Sequence, residues 1–191
     1  ITWSGLLLFW SARELARAGL GRVLTIGLAA GAVTGVLTAL GQAYGLLDSD
    51  LLSLSRAPGG TFGNRNFVAH LAAISLPVLL ATALAARSRA GYFVSVLATL
   101  LTVGLMVLTR SRAAWLATAV SGLVFLGLGF LPGGLWRDET ARRRVRGPIL
   151  AVIAGAALAL SLPNALDWRS DTPYIDTLKG LTNYQEGSGR G

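Results

Sequence analysis

Residues Val23–Leu47 read VLTIGLAAGAVTGVLTALGQAYGLL, 25 residues without a single charge. A helix rising about 1.5 Å per residue needs roughly 20 largely apolar residues to cross the hydrocarbon of a bilayer. This stretch is long enough to span with residues left over. Charge-free runs recur further along the chain at Phe67–Ala86, Ala90–Thr109 and Ala113–Leu131. A shorter run covers Ile149–Pro163, with Pro148 at a plausible first helical position. Ile1–Ala12 is too short to span and reads as the tail of a truncated helix. The expected fold is all-α, a polytopic transmembrane helix bundle of about five full spans plus one truncated N-terminal span. The bundle takes up residues 1–163, and 164–191 begin an extramembrane loop.

Composition agrees with that reading. Of 191 residues, 53% are hydrophobic and only 14% charged, which excludes an ordinary soluble domain. The chain has no cysteine and one histidine, His70, so disulfides, thiolate nucleophiles, iron–sulfur clusters and multi-histidine metal sites are excluded. The chain starts at Ile1 inside an apolar stretch and stops at Gly191 in a polar glycine-rich one. No signal peptide is visible in it, and we expect a piece of a longer polytopic protein.

The net charge of +8 comes from 17 basic residues, 16 of them arginine, against nine acidic ones. These arginines punctuate apolar spans instead of forming a stripe or an aromatic-interleaved patch, so nucleic acid is not the expected partner. Alternating the spans across a membrane places Arg13, Arg17, Arg22, Arg87, Arg89, Arg137, Arg142, Arg143, Arg144 and Arg146 on the inside, as the positive-inside rule requires. Arg56, Arg65, Arg110, Arg112, Arg169, Lys179 and Arg190 fall outside. Asp48 and Asp50 offset the first external loop; Asp167, Asp171, Asp176 and Glu186 outweigh the tail. The cluster Trp136–Arg146 suits an anionic cytoplasmic leaflet.

Small and kinking residues add detail. Gly27, Gly31 and Gly35 recur every four residues and are expected to let a neighbouring backbone come close along one face. Pro77 should kink its helix, either to line a cavity or to fit a curved neighbour. In the tail, Thr172-Pro173 reads as the start of a short amphipathic helix with Tyr174, Ile175, Leu178 and Leu181 on one face, ended by Gly180.

Polar groups near membrane depth are functional candidates by default. One cluster is Gly59-Gly60-Thr61-Phe62-Gly63-Asn64-Arg65-Asn66. Its glycines free backbone amides to approach an anion at a helix start; equally, it is a tight turn in which Asn64 or Asn66 caps the next helix. The other is Thr109-Arg110-Ser111-Arg112, wedged between two apolar runs. Its arginines either snorkel to headgroups or offer bidentate, charge-assisted hydrogen bonds to a phosphate-bearing lipid. Arginines are not expected on this side, which favours the second reading. His70, one turn inside its span, reads as a packing or hydrogen-bonded residue, and the carboxylates show no acid/base pairing.

Gly60-Thr61-Phe62-Gly63-Asn64-Arg65-Asn66-Phe67 resembles the G-T-F-G-N-P-N segment of the O-antigen ligase and O-antigen polymerase superfamily. Ser111-Arg112-Ala113-Ala114-Trp115-Leu116 is similar to its S-R-x-A-W/L motif, and Gly187-Ser188-Gly189-Arg190 to the start of its large periplasmic loop. Arg65 stands where the family has proline. The resemblance implies a GT-C-like, multi-pass glycosyltransferase of the bacterial inner membrane with its active face in the periplasm. Such an enzyme moves a glycan from an undecaprenyl-diphosphate carrier to a glycolipid, protein or glycan acceptor, without nucleotide sugar, metal or other cofactor. By motif, Arg112 matches a diphosphate-binding arginine with Arg110 its neighbour; Asn64 and Asn66 match loop asparagines; Arg65 adds a charge; Arg190 matches an arginine of the large loop. The family's catalytic histidine is expected beyond Gly191, and His70 does not replace it. A transporter or flippase of a lipid diphosphate is the alternative expectation, and a non-catalytic membrane subunit the third.

Overall fold

The computed structural model describes residues 2–47, 57–131, 137–166 and 173–182. Among them it is all-helical. Helix α1 covers Thr2–Leu15 and α2 Gly21–Ala43; α3 covers Arg65–Leu84, α4 Arg89–Thr109 and α5 Arg112–Gly129; α6 covers Glu139–Arg144, α7 Arg146–Ser161 and α8 Pro173–Thr182. Five helical segments are long and apolar enough to cross a membrane.

At the N-terminal end α1 and α2 meet at a kink instead of an extended loop: within Ala16–Leu20, Gly19 leaves helical geometry with a φ of 80°, in the left-handed region open to glycine. Glu14 receives Arg13 and Arg17, each at 3.2 Å, on the α1 side of that kink. The last span begins earlier than expected, at Arg146, so Pro148 occupies the third helical position. Its missing N–H is harmless there, because first-turn amides have no intrahelical acceptor.

Packing contacts order the bundle. Val36 and Ala39 of α2 meet Val68 of α3 and Leu105 of α4. Ala43, Leu108 and Ala159 bring the C-terminal ends of α2, α4 and α7 together. Ala69 and Ala73 of α3 meet Ala114 of α5, so the starts of α3 and α5 lie side by side. The helices therefore alternate in direction. One rim carries Arg65, Arg110 and Arg112; the opposite end carries Arg22, Arg87, Arg89 and Arg144.

Apolar side chains face outward as well as inward, as Phe93, Leu97, Leu123 and Ile153 do. In a bilayer, apolar exposure carries no penalty, so close contact and small residues must select the packed faces. The tightest seam joins α4 to α7, where a Cβ on Gly155 would press against the Leu100 carbonyl oxygen and lie 3.3 Å from Gly104 N. The stripe predicted on α2 behaves differently. Gly35 is buried against Leu71, but Gly27 and Gly31 have open space beside them. Their four-residue spacing marks a face without saying that protein covers it.

Hydroxyls inside the bundle satisfy themselves locally. Thr99 and Thr102 are fully buried and donate to Ser95 O at 2.8 Å and Ala98 O at 2.7 Å, which removes the cost of an unpaired polar group in an apolar interior. α5 leans on α3 instead of on its chain neighbour α4. The space left between α3, α4, α5 and α7 is an apolar cavity of about 590 Å³ lined by Leu76, Pro77, Met106, Phe125, Pro148 and Val152. Pro77 sits within an uninterrupted α3 and lines that cavity.

Candidate functional site at the arginine turn

The turn between α4 and α5 is built to be rigid. Arg110 ends α4 in the left-handed region, φ 54° and ψ 26°, with its amide donating to Val107 O at 3.2 Å. Among the described residues it is the sole non-glycine at positive φ. That conformation costs an L-residue roughly 1–2 kcal/mol and is usually left to glycine or asparagine. Ser111 follows in extended geometry and is buried, and α5 starts at Arg112.

Three side chains fasten the turn onto Met106. The Thr109 hydroxyl donates to Met106 O at 2.8 Å, the Trp115 indole N–H donates to the same oxygen at 3.1 Å, and Thr118 Oγ1 lies 3.0 Å from Met106 Sδ. Trp115 of the S-R-A-A-W motif is thus a clamp across the turn. Arg110 is half-buried and Arg112 exposed.

In the glycine-rich turn beside it the capping geometry is present. Asn64 is the N-cap of α3, its side-chain oxygen accepting from Asn66 N at 2.9 Å. Gly60 and Gly63 have φ of 53° and 68°. Gly60 N donates to Gln42 Oε1 at 2.7 Å, and Phe62 N to Gly59 O at 3.1 Å. The turn therefore spends these amides internally, and capping accounts for Asn64. Asn66 is exposed on the first turn of α3, and Arg65 is half-buried as its first residue.

Because α3 and α5 start side by side, the positive ends of their dipoles add at this rim, next to Arg65, Arg110 and Arg112. The C-terminus of α4 contributes the opposite sign, and Arg110 stands on it. Helix α8, which the tail residues predict, starts at Pro173 as expected but runs past Gly180 to Thr182. It packs against α5, with Ile175 and Leu178 exposed.

Tyr174 and Asp176 of α8 feel Arg110. Burial pushes the Arg110 guanidinium down from its usual range, while Asp176 and Tyr174 pull it back up. Burial raises the Tyr174 phenol. Arg110 works against that rise, Tyr44 adds to it, and Asn164 opposes it. The Tyr174 hydroxyl nonetheless has no hydrogen bond of normal geometry. Gln42 is in a similar position: it is 3% exposed, and its Nε2 lacks an acceptor.

Of the residues expected at the site, Arg110, Arg112, Arg65, Asn64 and Asn66 fall on this one rim, and Arg190 lies outside the described residues. So do Asp48, Asp50, Arg56, Trp136 and the Gly187-Ser188-Gly189 segment. His70 is exposed on α3 instead of packed between helices. Sequence reasoning missed Gln42, Tyr44 and Asn164. Gln42 was detectable, since it is the only side-chain amide within the uncharged run Val23–Leu47. Tyr44 and Asn164 carry no such signal. Among the described residues no group of three or more histidine, cysteine, aspartate or glutamate side chains is placed to hold a metal ion.

No known family, curated protein or solved structure matches this chain.

Proposed function

We propose that this membrane protein binds a polyprenyl diphosphate-linked glycan at the arginine rim and transfers the glycan, in the manner of O-antigen ligases and polymerases. The observation that carries the reading is the Arg110–Arg112 turn. A basic residue is held in a disfavoured backbone conformation, on a turn fastened to Met106, where snorkelling alone needs no such constraint. The motif resemblance of Ser111–Leu116 and Gly60–Phe67 supports it, as does the apolar cavity starting one turn below at Met106, which suits a lipid chain. With this rim in the periplasm, the arginine-rich opposite end faces the cytoplasm, as the positive-inside rule asks.

In the reaction an acceptor hydroxyl attacks the anomeric carbon and gives up its proton to solvent, the bond from that carbon to the diphosphate oxygen breaks, and the lipid diphosphate leaves with the electron pair. Arg112 and Arg110 stabilise the charge that develops on the leaving oxygens. Removing one such donor typically costs about 10²–10³-fold in rate. Arg112→Ala in the full-length polypeptide, reconstituted with carrier-linked glycan and acceptor, should lose transfer by that factor while inserting normally; wild-type transfer overturns the proposal.

A second reading, passage of a lipid diphosphate across the membrane, draws on the extent of the cavity, which reaches Leu84 and Phe130 near the opposite end. Proteoliposomes separate the two, because a transferase makes a new glycosidic linkage and a flippase only relocates its substrate.

A further inference from the structure

The opposite end of the bundle holds a second cavity, of about 420 Å³, between the first turns of α2, the end of α3 and the start of α4. Arg22 from α2 and Arg87 from the α3–α4 connection both line it, with Thr25, Thr82, Ser88 and Ser95. We propose that this cavity binds the phosphate-bearing headgroup of an anionic phospholipid, a site separate from the glycan-transfer rim.

The electrostatics of the cavity point one way. The ion pairs Arg13–Glu14, Arg17–Glu14 and Arg143–Glu139 draw on other arginines than Arg22 and Arg87. Helix α4, 21 residues long, starts at the cavity. Ser88 Oγ accepts from Gly91 N at 3.1 Å, and the first-turn amides of Arg89 and Ala90, which have no intrahelical acceptor, add the positive end of the helix dipole. The end of α3 would supply the opposing negative pole. Arg144 Nη1 answers it by donating to Leu84 O at 3.3 Å and to Ala86 O.

The hydroxyls are spent on helix carbonyls: Thr25 on Gly21 O at 2.8 Å, Thr82 on Leu79 O at 2.8 Å, Ser95 on Gly91 O at 2.9 Å. They leave the wall polar but uncharged, so the attraction for an anion comes from two guanidiniums and the helix start. Ile26 and Ala81 line the apolar side of the cavity, and exposed Val23 and Ile26 continue along α2 into the hydrocarbon, where an acyl chain would lie. The setting selects the occupant, because the cavity lies at the ends of three spans, at headgroup level, where basic pockets between helices take lipid phosphates. Arg137, Arg142 and Arg146 at the same end are exposed, as Arg22 and Arg87 are, but do not line this cavity; they are the snorkelling comparison.

The test uses the full chain purified in neutral detergent, titrated with phosphatidylglycerol, phosphatidylcholine or inorganic phosphate, and followed by native mass spectrometry and thermal unfolding. Phosphatidylglycerol should bind saturably, with about one high-affinity lipid lost in Arg22→Gln/Arg87→Gln as an affinity drop of at least tenfold, and phosphatidylcholine should not compete. Arg137→Gln/Arg142→Gln, which removes the same charge outside the cavity, should retain that lipid. Equal binding of phosphatidylcholine, equal loss in the comparison variant, or binding of phosphate alone as tight as the lipid each overturns the proposal. The lipid comparison on the unaltered chain decides it even if a variant misfolds.

Discussion

Replacing Gly155 by alanine tests the account of how this bundle holds together. The new Cβ would press into the Leu100 carbonyl oxygen and sit 3.2 Å from Leu100 C and 3.3 Å from Gly104 N. All three are backbone atoms of α4, so no side chain can swing away, and the two helices must part by something on the order of an ångström. A gap of that size forfeits about a quarter to a half of each contact's dispersion well along the seam, and overpacking of a closely packed interface costs about 1–3 kcal/mol. Alanine's better helix propensity returns roughly 0.5–1 kcal/mol, for a net loss near 1–2 kcal/mol. Gly31→Ala is the internal comparison, because nothing lies within 4 Å of a Cβ there, and it should keep the propensity gain. Gly35→Ala, whose Cβ would lie 2.8 Å from Leu71 Cδ2, should fall between, since a leucine methyl can move. Equilibrium unfolding in mixed detergent, followed by far-UV circular dichroism, should separate Gly31→Ala from Gly155→Ala by about 2 kcal/mol, roughly thirtyfold in the unfolding constant. Equal stability of the two variants would falsify the claim that backbone approach between α4 and α7 holds the bundle.

At the arginine turn, Arg110→Gly and Arg110→Ala both remove the guanidinium, but only glycine relaxes at φ 54°; the glycine variant should be more stable by about 1–2 kcal/mol, and under the proposed function both should lose glycan transfer equally. Indistinguishable melting of the pair would mean the turn carries no backbone strain. At the other end, Arg144→Gln removes the donor shared by Leu84 O and Ala86 O and should cost about 1 kcal/mol while speeding amide exchange at the α3–α4 connection. Unchanged exchange there would remove Arg144 from its role as a helix-end partner.

Some of this molecule is legible because it depends on neighbours in the chain. The cap at Asn64, the start of α8 at Pro173 and the tight hairpin at Thr109–Arg112 all follow from local hydrogen-bonding and φ/ψ preferences. The failures share a cause as well. Gly27 and Gly31 have the spacing of a packing stripe yet face outward, and His70 lies on an outer face, because in lipid an apolar or small surface is equally suited to contact with protein or hydrocarbon. The Gln42–Gly60 hydrogen bond joins residues 18 apart, and Tyr174 meets the surroundings of Arg110 across a still longer separation; no periodicity encodes either.

The sequence by itself determined that the chain forms membrane-length helices, roughly where each ends, and which residues lie at the ends. Transfer of a segment into hydrocarbon is a sum over its own residues, and the positions of charges bound it. Only the tertiary structure decided which small residues are buried, that α5 packs on α3 and opens an apolar cavity beside α4, and that arginines from separate elements share a rim at one end and a cavity at the other. Those are choices of partner between helices of nearly equal hydrophobicity, and they are settled by close contact and hydrogen-bond geometry between segments far apart in the chain.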